Sequence, residues 1–356
     1  MYILPNTSIE TIEQKGTAEQ KATAVYFDVN GNGKIDRTEA DSFNYAKITK
    51  TEDELTIQHQ NGYIDTFENL RTRKPDSYYK SGSIPIAVID LYNEECPNTF
   101  HGTAVSNTLK KYNKELSLTE IDCSPQRCWS KFQKNFAKFA DRHLKIATFL
   151  SDKKLFPSFI LGHKEHKSDL AAFQEIKTRI DNGEKFKAVN FSSSINTTYE
   201  AINKLVEKEL GITITPDNIK ENLGKIRAFL EQNPNKKIEW ENEKVKVKKY
   251  LDIIKAMESL NIPIYMAGEY KTGANREIEQ FNILALAKNS IIIDAGLIQA
   301  DGSIIHDKII SHSSLSIDEN GKRKIEDAMF YSEDKINRGC TSYATPMALA
   351  KDFLPK

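Results

Sequence analysis

The hydrophobic positions of the chain alternate between two patterns from residue 84 onward. Short runs that are mostly apolar and rich in β-branched residues are typical of buried strands in a sheet. Five such runs are visible: "IPIAVID" (84–90), "ELSLTEID" (115–122), "KAVNFSSS" (187–194), "IPIYMAGE" (262–269) and "SIIIDAGLI" (290–298). Segments with helical periodicity lie between them, such as the amphipathic stretch 169–183, which ends in glycine. This alternation predicts an α/β domain with a largely parallel sheet.

The N-terminal part of the chain follows a different pattern. Residues 1–47 predict a helix, a polar loop and a second helix. Residues 53–68 alternate apolar and polar positions around Asn61-Gly62, which is typical of a β-hairpin. The polar stretch 71–83 has the composition of a linker. We therefore predict a small α+β domain over 1–80 and a large α/β domain over 81–356.

The large domain contains one long segment with few strand signals. Residues 199–258 are highly charged and carry several helical patterns. A strand pattern precedes this segment and another follows it. The sequence therefore predicts a helical insertion between two strands of the sheet.

The composition excludes some classes of function. Lys+Arg and Asp+Glu both number 50, so no net charge favours nucleic acid or an acidic membrane surface. No apolar run reaches the length of a membrane span, and the first ten residues lack the pattern of a secretory signal. The four cysteines are too few for a disulfide framework, and Cys123 and Cys128 are either a local bridge or two thiols.

The sequence "DVNGNGKIDRTE" (28–39) has the spacing of a calcium-binding loop. Such a loop of twelve residues takes side-chain oxygens at positions 1, 3, 5 and 9, a backbone carbonyl at 7, a bidentate Glu at 12, and Gly at 6. The matching ligands are Asp28, Asn30, Asn32, Lys34 (carbonyl), Asp36 and Glu39, with Gly33 at the turn. The loop resembles an EF-hand, and we expect it to bind Ca²⁺ between two flanking helices. The alternative is an Asn/Gly-rich turn without an ion.

Three side chains of the α/β domain stand where a parallel sheet places its active site, beyond the carboxyl ends of the strands. Asp90 ends the first strand, His101 begins the next helical pattern, and Ser342 lies at the start of a C-terminal helix that contains Pro346. A serine, a histidine and an aspartate in contact form a nucleophile, its base and the group that orients the base. Each residue alone is more often a helix cap or a turn residue than a catalytic group.

The motifs "AVID", "HGTAV", "AVNFSSS", "IYMAGE" and "GCTSYATPMA" resemble, in this order, those of the subtilisin-like serine proteases (subtilases). The resemblance covers about 84–350. It implies a doubly wound α/β/α sandwich and an endopeptidase that cleaves a protein or peptide substrate through an acyl-enzyme. It also implies that Asp90, His101 and Ser342 form the triad, and that Ser192, Ser193 and Ser194 lie on the edge segment that pairs with an extended substrate.

Two departures from the family pattern affect the expected activity. Asp90 is followed by Leu91-Tyr92 instead of a small residue and glycine. Glu269 takes the place of the asparagine that donates to the oxyanion in the family, and an ionised carboxylate cannot donate. Either Glu269 is protonated, or a nearby amide such as Asn275 replaces it, or the enzyme is slow or inactive.

The residues leave several alternatives open. One is a catalytically impaired pseudoprotease that serves as a peptide-binding or scaffold module, and another is a different hydrolase with a functional calcium module. Residues 1–80 are either a prodomain that is cut near 71–83 or a domain that stays attached. Calcium and proteolysis favour the cell exterior or envelope, although the chain shows no export signal.

Overall fold

The computed structural model describes about three fifths of the chain. The described residues are 24–25, 44–50, 54–59, 64–68, 70, 72–92, 100–123, 165–240, 243–268, 280–295, 297–298, 304–305, 325–326, 329–332, 335–338 and 341–355. Side chains are described for 70, 72–92, 101–123, 169–238, 244–268, 280–295 and 341–355. The following account applies to these residues.

The central element is a parallel sheet of five longer strands. They are β5 (Ile84–Asp90), β6 (Leu116–Asp122), β7 (Ala188–Phe191), β11 (Ile264–Ala267) and β13 (Ser290–Ala295). The short strand β16 (Ile325–Glu326) extends the sheet at one edge, and the spatial order is β16-β13-β11-β7-β5-β6. Every neighbouring pair in this sheet is parallel. The predicted α/β fold with a parallel sheet is confirmed.

The strand order reverses at β5. The chain runs from β5 to its neighbour on one side, β6, and then crosses to β7 on the other side of β5. In open α/β sheets, the crevice at such a switch point is where ligands bind, beyond the carboxyl ends of the strands. Ile89 of β5 pairs with Phe191 of β7, so Asp90 and Ser192 are neighbours at this end of the sheet.

Helices cover both faces of the sheet because each strand buries alternate side chains on opposite sides. The first face packs against α2 (Phe100–Tyr112) and α7 (Thr341–Asp352). The second face packs against α3 (Glu165–Asp181), α4 (Tyr199–Leu210), α5 (Ile219–Gln232) and α6 (Val247–Ser259). The sheet is therefore the middle of three layers.

The predicted helical insertion at 199–258 does contain three of these helices. It also contains an antiparallel hairpin of β9 (Lys237–Trp240) and β10 (Glu243–Lys246). Its last helix, α6, leads directly into β11 and buries its apolar side against the sheet. Residues 247–259 are thus a crossover helix of the α/β fold.

Shorter strands surround the central sheet. Four strands, β1 (Ala24–Val25), β2 (Asn44–Lys50), β3 (Glu54–His59) and β4 (Ile64–Glu68), form an antiparallel sheet in that order. Antiparallel pairs also join β8 (Asn196–Thr198) to β12 (Gln280–Asn282), β14 (Leu297–Ile298) to β15 (Ile304–Ile305), and β17 (Met329–Ser332) to β18 (Lys335–Arg338). A short 3-10 helix spans Ile283–Leu286, and α1 spans Asp76–Lys80.

The N-terminal sheet confirms one prediction and corrects another. The hairpin predicted at 53–68 is formed by β3 and β4. The helices predicted on both sides of the calcium loop are wrong, because the described residues there belong to β1 and β2. Val25 pairs with Asn44 in an antiparallel register, so strands, not helices, enclose the loop. The helix–loop–helix frame of an EF-hand is therefore absent from the described part of this region.

The stretch 71–83 differs from the predicted linker. It contains α1, and Tyr79 is 1% exposed within the core of the first face. The Tyr79 hydroxyl donates to Asn107 of α2, and the Asn107 amide donates to the carbonyls of Leu70 and Thr72. Leu70, Thr72 and Tyr79 thus contact the helix that carries His101. The predicted domain boundary at residue 80 stays a prediction.

Candidate active site

Asp90 lies at the switch point of the sheet, as the last residue of β5. By strand alternation it faces the same side as Ile86 and Val88, which belong to the core beneath α2 and α7. Its side chain is buried, and its Oδ1 accepts a hydrogen bond from the backbone N–H of Leu91 at 2.7 Å. The carboxylate is therefore fixed at the carboxyl end of the strand.

His101 is the second residue of α2, and its ring contacts this carboxylate. Nδ1 of His101 is 2.7 Å from Oδ1 of Asp90. The histidine side chain is 27% exposed, whereas that of Asp90 is only 4% exposed. A neutral imidazole that donates from Nδ1 keeps Nε2 as its acceptor, so the contact sets both the orientation and the tautomer of the ring.

The contact depends on a close approach between α2 and the chain after β5. The Gly102 N–H donates to the carbonyl of Leu91 at 3.3 Å. A Cβ atom on residue 102 would lie only 2.6 Å from that carbonyl oxygen and 2.7 Å from the Tyr92 ring. Only glycine lets the helix start this close to the strand end, which explains the His101-Gly102 pair in physical terms.

The second oxygen of Asp90, Oδ2, is buried and accepts no hydrogen bond within the described part of the chain. On the neighbouring strand, the fully buried Asn190 donates from its amide nitrogen to the hydroxyl of Ser192 at 2.9 Å. Because Asp90 is buried, its hydrogen bond with His101 is stronger than the same bond would be in water.

Ser342 lies at the beginning of α7, one residue before Tyr343. The Tyr343 ring is 5.5 Å from the His101 ring, which brings the amino-terminal end of α7 next to the histidine. The backbone N–H groups of a first helical turn lack intrahelical partners and favour negative charge. The described helix begins at Thr341, so Pro346 lies in its second turn. Pro346 has no N–H for the carbonyl of Ser342, which is left without its helical bond.

The remaining predicted site residues fall into two groups. Ser192, Ser193 and Ser194 follow the end of β7, which stops at Phe191, so the described chain has no strand at these three residues. Ser192 is buried and Ser193 is exposed. Glu269, Asn275 and the calcium-loop residues lie outside the described residues. Their roles stay predictions.

Two residues near the site were missed by sequence reasoning. Asn190 is a polar residue within an apolar strand, and that departure from the pattern was a visible signal. Tyr92 packs against Gly102, and the one sign of this tertiary contact was the Leu91-Tyr92 pair in place of the expected small residue and glycine.

Metal binding finds no further support in the described residues. Within them, no cluster of three or more His, Cys, Asp or Glu side chains has the arrangement of a metal site. Ca²⁺ binding by 28–39 therefore stays a prediction from the sequence. The described helices are also too short or too polar to cross a membrane.

The chain was compared with known families and structures. No family model and no curated protein matches it. One solved structure, described as a lanthipeptide protease, is 7% identical with a TM-score of 0.35, and the similarity covers 77% of this chain and 76% of the other. A second, the prenylagaramide maturation protease PagA, is 12% identical with a TM-score of 0.34, over 75% of this chain and 73% of the other. Likeness at this level assigns neither a family nor a function to this chain.

These comparisons correct the family assignment. Neither similar structure is described as a subtilase, and no family model matches. The prediction that the chain is a subtilisin-like serine protease with an EF-hand is therefore wrong. So is the function derived from it, a subtilase-type endopeptidase supported by calcium, and its pseudoprotease alternative is not supported either. Short motifs at strand ends and helix starts reflect local geometry that many α/β proteins share, which is why they do not establish a family.

Proposed function

We propose that the chain is a hydrolase with a peptide substrate, in which Asp90 and His101 act as an oriented general base. The observation that carries the proposal is the contact of 2.7 Å between His101 Nδ1 and Asp90 Oδ1 at the switch point of the sheet. A histidine bound in this way offers Nε2 to a reacting proton.

The burial of the two side chains supports the assignment. The carboxylate is almost completely buried, whereas the imidazole is partly exposed. A structural ion pair needs no access to solvent, but a base must reach its substrate. Of the two side chains, the one that would exchange a proton with the substrate, His101, is the exposed one.

We further propose that Ser342 supplies the hydroxyl group that His101 deprotonates. Its support is the position of Tyr343, whose ring lies 5.5 Å from that of His101, because the preceding residue shares the same helix end. In this scheme the Ser342 hydroxyl loses its proton to Nε2 and attacks the carbonyl carbon of the substrate. The proton then passes from Nε2 to the leaving amine as the C–N bond breaks. A water molecule that gives its proton to Nε2 next attacks the acyl group on Ser342, and the return of that proton to the serine oxygen restores the hydroxyl.

The first experiment measures hydrolysis of an unfolded protein and of a small aryl ester by wild type, His101→Ala and Ser342→Ala. A general base contributes about 10²–10⁴-fold to the rate, so His101→Ala should lose about that factor for any substrate that the chain cleaves. His59→Ala is the matched control, because His59 lies in β3 of the separate N-terminal sheet. It should keep the wild-type rate.

The substrate class and the nucleophile are read from the same experiment. Cleavage of the ester without cleavage of the protein would replace the peptide substrate by a simpler acyl compound. A fluorophosphonate probe should label wild type but not Ser342→Ala, and labelling that persists in that variant would remove Ser342 from its role. Equal rates for wild type and His101→Ala would overturn the whole proposal.

A further inference from the structure

The two residues after Asp90, Leu91 and Tyr92, contact the first turn of α2. The Leu91 carbonyl accepts from Gly102, and two ring carbons of Tyr92 would lie 2.7 and 2.9 Å from a Cβ atom at residue 102. The Tyr92 ring therefore lies against the backbone next to His101. Any shift of this ring changes the space available to the first turn of the helix.

A chain of hydrogen bonds fixes the other end of the Tyr92 side chain. Its hydroxyl is 2.9 Å from the Ser106 hydroxyl, which lies one turn after Gly102. Ser106 is 2.7 Å from Oε1 of Glu120, and Arg73 donates to the same oxygen at 2.7 Å. Tyr92 thus spans the first turn of α2 and is anchored through Ser106 to strand β6.

The direction of these bonds follows from the number of hydrogens. An ionised Glu120 can only accept, so the single hydroxyl hydrogen of Ser106 points to it. Tyr92 must then donate to Ser106. Burial raises the pKa of Tyr92 well above its usual value, and the carboxylates of Glu120 and Asp90 add to this effect. The phenol therefore keeps the hydrogen that it donates.

The backbone of the same two residues is held as well. The Tyr92 N–H donates to Asp122 Oδ1 at 3.0 Å, and the Leu91 N–H donates to Asp90. One short segment therefore binds the carboxylate of the proposed base and also packs against the residue that follows His101.

We propose that Tyr92 is a positioning residue, which holds His101 against Asp90 through its ring contact with Gly102 and its hydroxyl contact with Ser106. It does not touch the reacting atoms. It limits the distance between α2 and the end of β5. The effect on the reaction rate rests on the proposed function, whereas the effect on the histidine–aspartate contact does not.

The test follows the Nδ1 proton of His101 by NMR in the full chain. An imidazole N–H that is bonded to a buried carboxylate gives a downfield signal that exchanges slowly with water, and His101→Gln identifies it by its loss. Tyr92→Phe keeps the ring and removes the hydroxyl, while Tyr92→Ala removes both. Tyr112→Phe at the far end of α2 is the matched control.

We expect the Nδ1 proton to exchange with water about tenfold faster, or to be lost from the spectrum, in Tyr92→Ala. Tyr92→Phe should show a smaller increase, and Tyr112→Phe none. Hydrolysis should show the same order through kcat, with KM nearly unchanged. Circular dichroism and the melting temperature identify any variant that fails to fold, and in that case Tyr92→Phe decides alone.

An unchanged exchange rate in folded Tyr92→Ala or Tyr92→Phe would overturn the positioning role. The NMR measurement does not require activity, so it separates this inference from the proposed function. A chain that hydrolyses nothing, but loses the slow Nδ1 proton on substitution of Tyr92, would refute the proposed function and support the positioning role of Tyr92.

Discussion

The two faces of the parallel sheet differ in what they bury. The face beneath α3 to α6 is lined by a large apolar cluster, with Phe173 and Phe191 in edge-to-face contact at 5.4 Å. The face beneath α2 and α7 also has an apolar core, but it carries Asp90 and Asn190 at the switch point. Both faces stabilise the sheet through burial. The residues proposed to act in the reaction, Asp90 and His101, thus lie on the first face, at one end of the sheet.

Two buried aspartates near strand ends show the same difference between the faces. Asp90 ends β5 and Asp294 is the second-last residue of β13, and both are buried. Each accepts a hydrogen bond from the backbone N–H of the next residue, at 2.7 Å for Asp90 and 2.9 Å for Asp294. By strand alternation, Asp294 lies on the face of Ile292, opposite to that of Asp90. Position in the fold, not residue type, thus decides which of the two lies against His101, and it is Asp90.

The largest effect on stability is expected from the apolar face. Phe173 is fully buried, and Phe173→Ala should lower the free energy of unfolding by about 3–5 kcal/mol, because it leaves a cavity against Phe191. Denaturant unfolding measures this loss. The hydrolysis rate per folded molecule should stay near that of wild type. If the hydrolysis rate per folded molecule falls together with stability, packing on the second face also affects the proposed site on the first face.

Calcium tests the region that precedes the sheet. If 28–39 binds Ca²⁺, saturation at about 100 times the Kd should stabilise that region by about 2.7 kcal/mol. The melting temperature of wild type, with and without Ca²⁺, measures this, and Glu39→Gln should weaken the response. No response in wild type would contradict the sequence prediction. If the exchange rate of the His101 Nδ1 proton does not change on calcium removal, the contact between His101 and Asp90 is independent of the N-terminal region.

Gly102→Ala tests the close approach between the start of α2 and residues Leu91 and Tyr92. The added Cβ must displace the Leu91 carbonyl or the Tyr92 ring, so we expect a loss of about 1–3 kcal/mol in stability, as for other overpacked sites. The hydrolysis rate should also fall, because the start of α2 moves away from Asp90. Gly224→Ala is the matched control, since a Cβ there meets nothing within 4 Å. A fully active Gly102→Ala enzyme would contradict the tight geometry.

The smallest expected effect concerns Lys110, a buried lysine of α2. Its Nζ donates to the carbonyls of Lys114 and Leu116, and burial lowers its pKa while Glu115 partly opposes this. The unfolded chain therefore binds more protons at this residue, so stability should rise with pH between the lowered pKa and the ordinary value near 10.5. Unfolding of wild type and Lys110→Met across this range measures the difference. If the free energy of unfolding changes with pH in the same way in wild type and Lys110→Met, the lowered pKa of Lys110 does not affect stability.

The sequence predicted those parts of the fold that depend on local pattern. Residues 84–90 form a strand because they are buried on both faces, and the helix from residue 100 places His101 near the strand end. Residues 44–47 were predicted as the end of a helix, yet they belong to β2 because pairing with β3 satisfies their backbone groups. Such pairing depends on distant residues, and so does the contact of Tyr92 with Gly102. Neither could be read from local periodicity.

The central claim is that the first face carries the chemistry through Asp90 and His101. The most direct measurement is the hydrolysis rate of Asp90→Asn and Asp294→Asn, each corrected for the folded fraction. We predict that Asp90→Asn loses about 10²-fold or more, because the base is no longer held in the right tautomer, while Asp294→Asn stays within about threefold of wild type. Equal losses in the two variants, or a fully active Asp90→Asn, would contradict the claim.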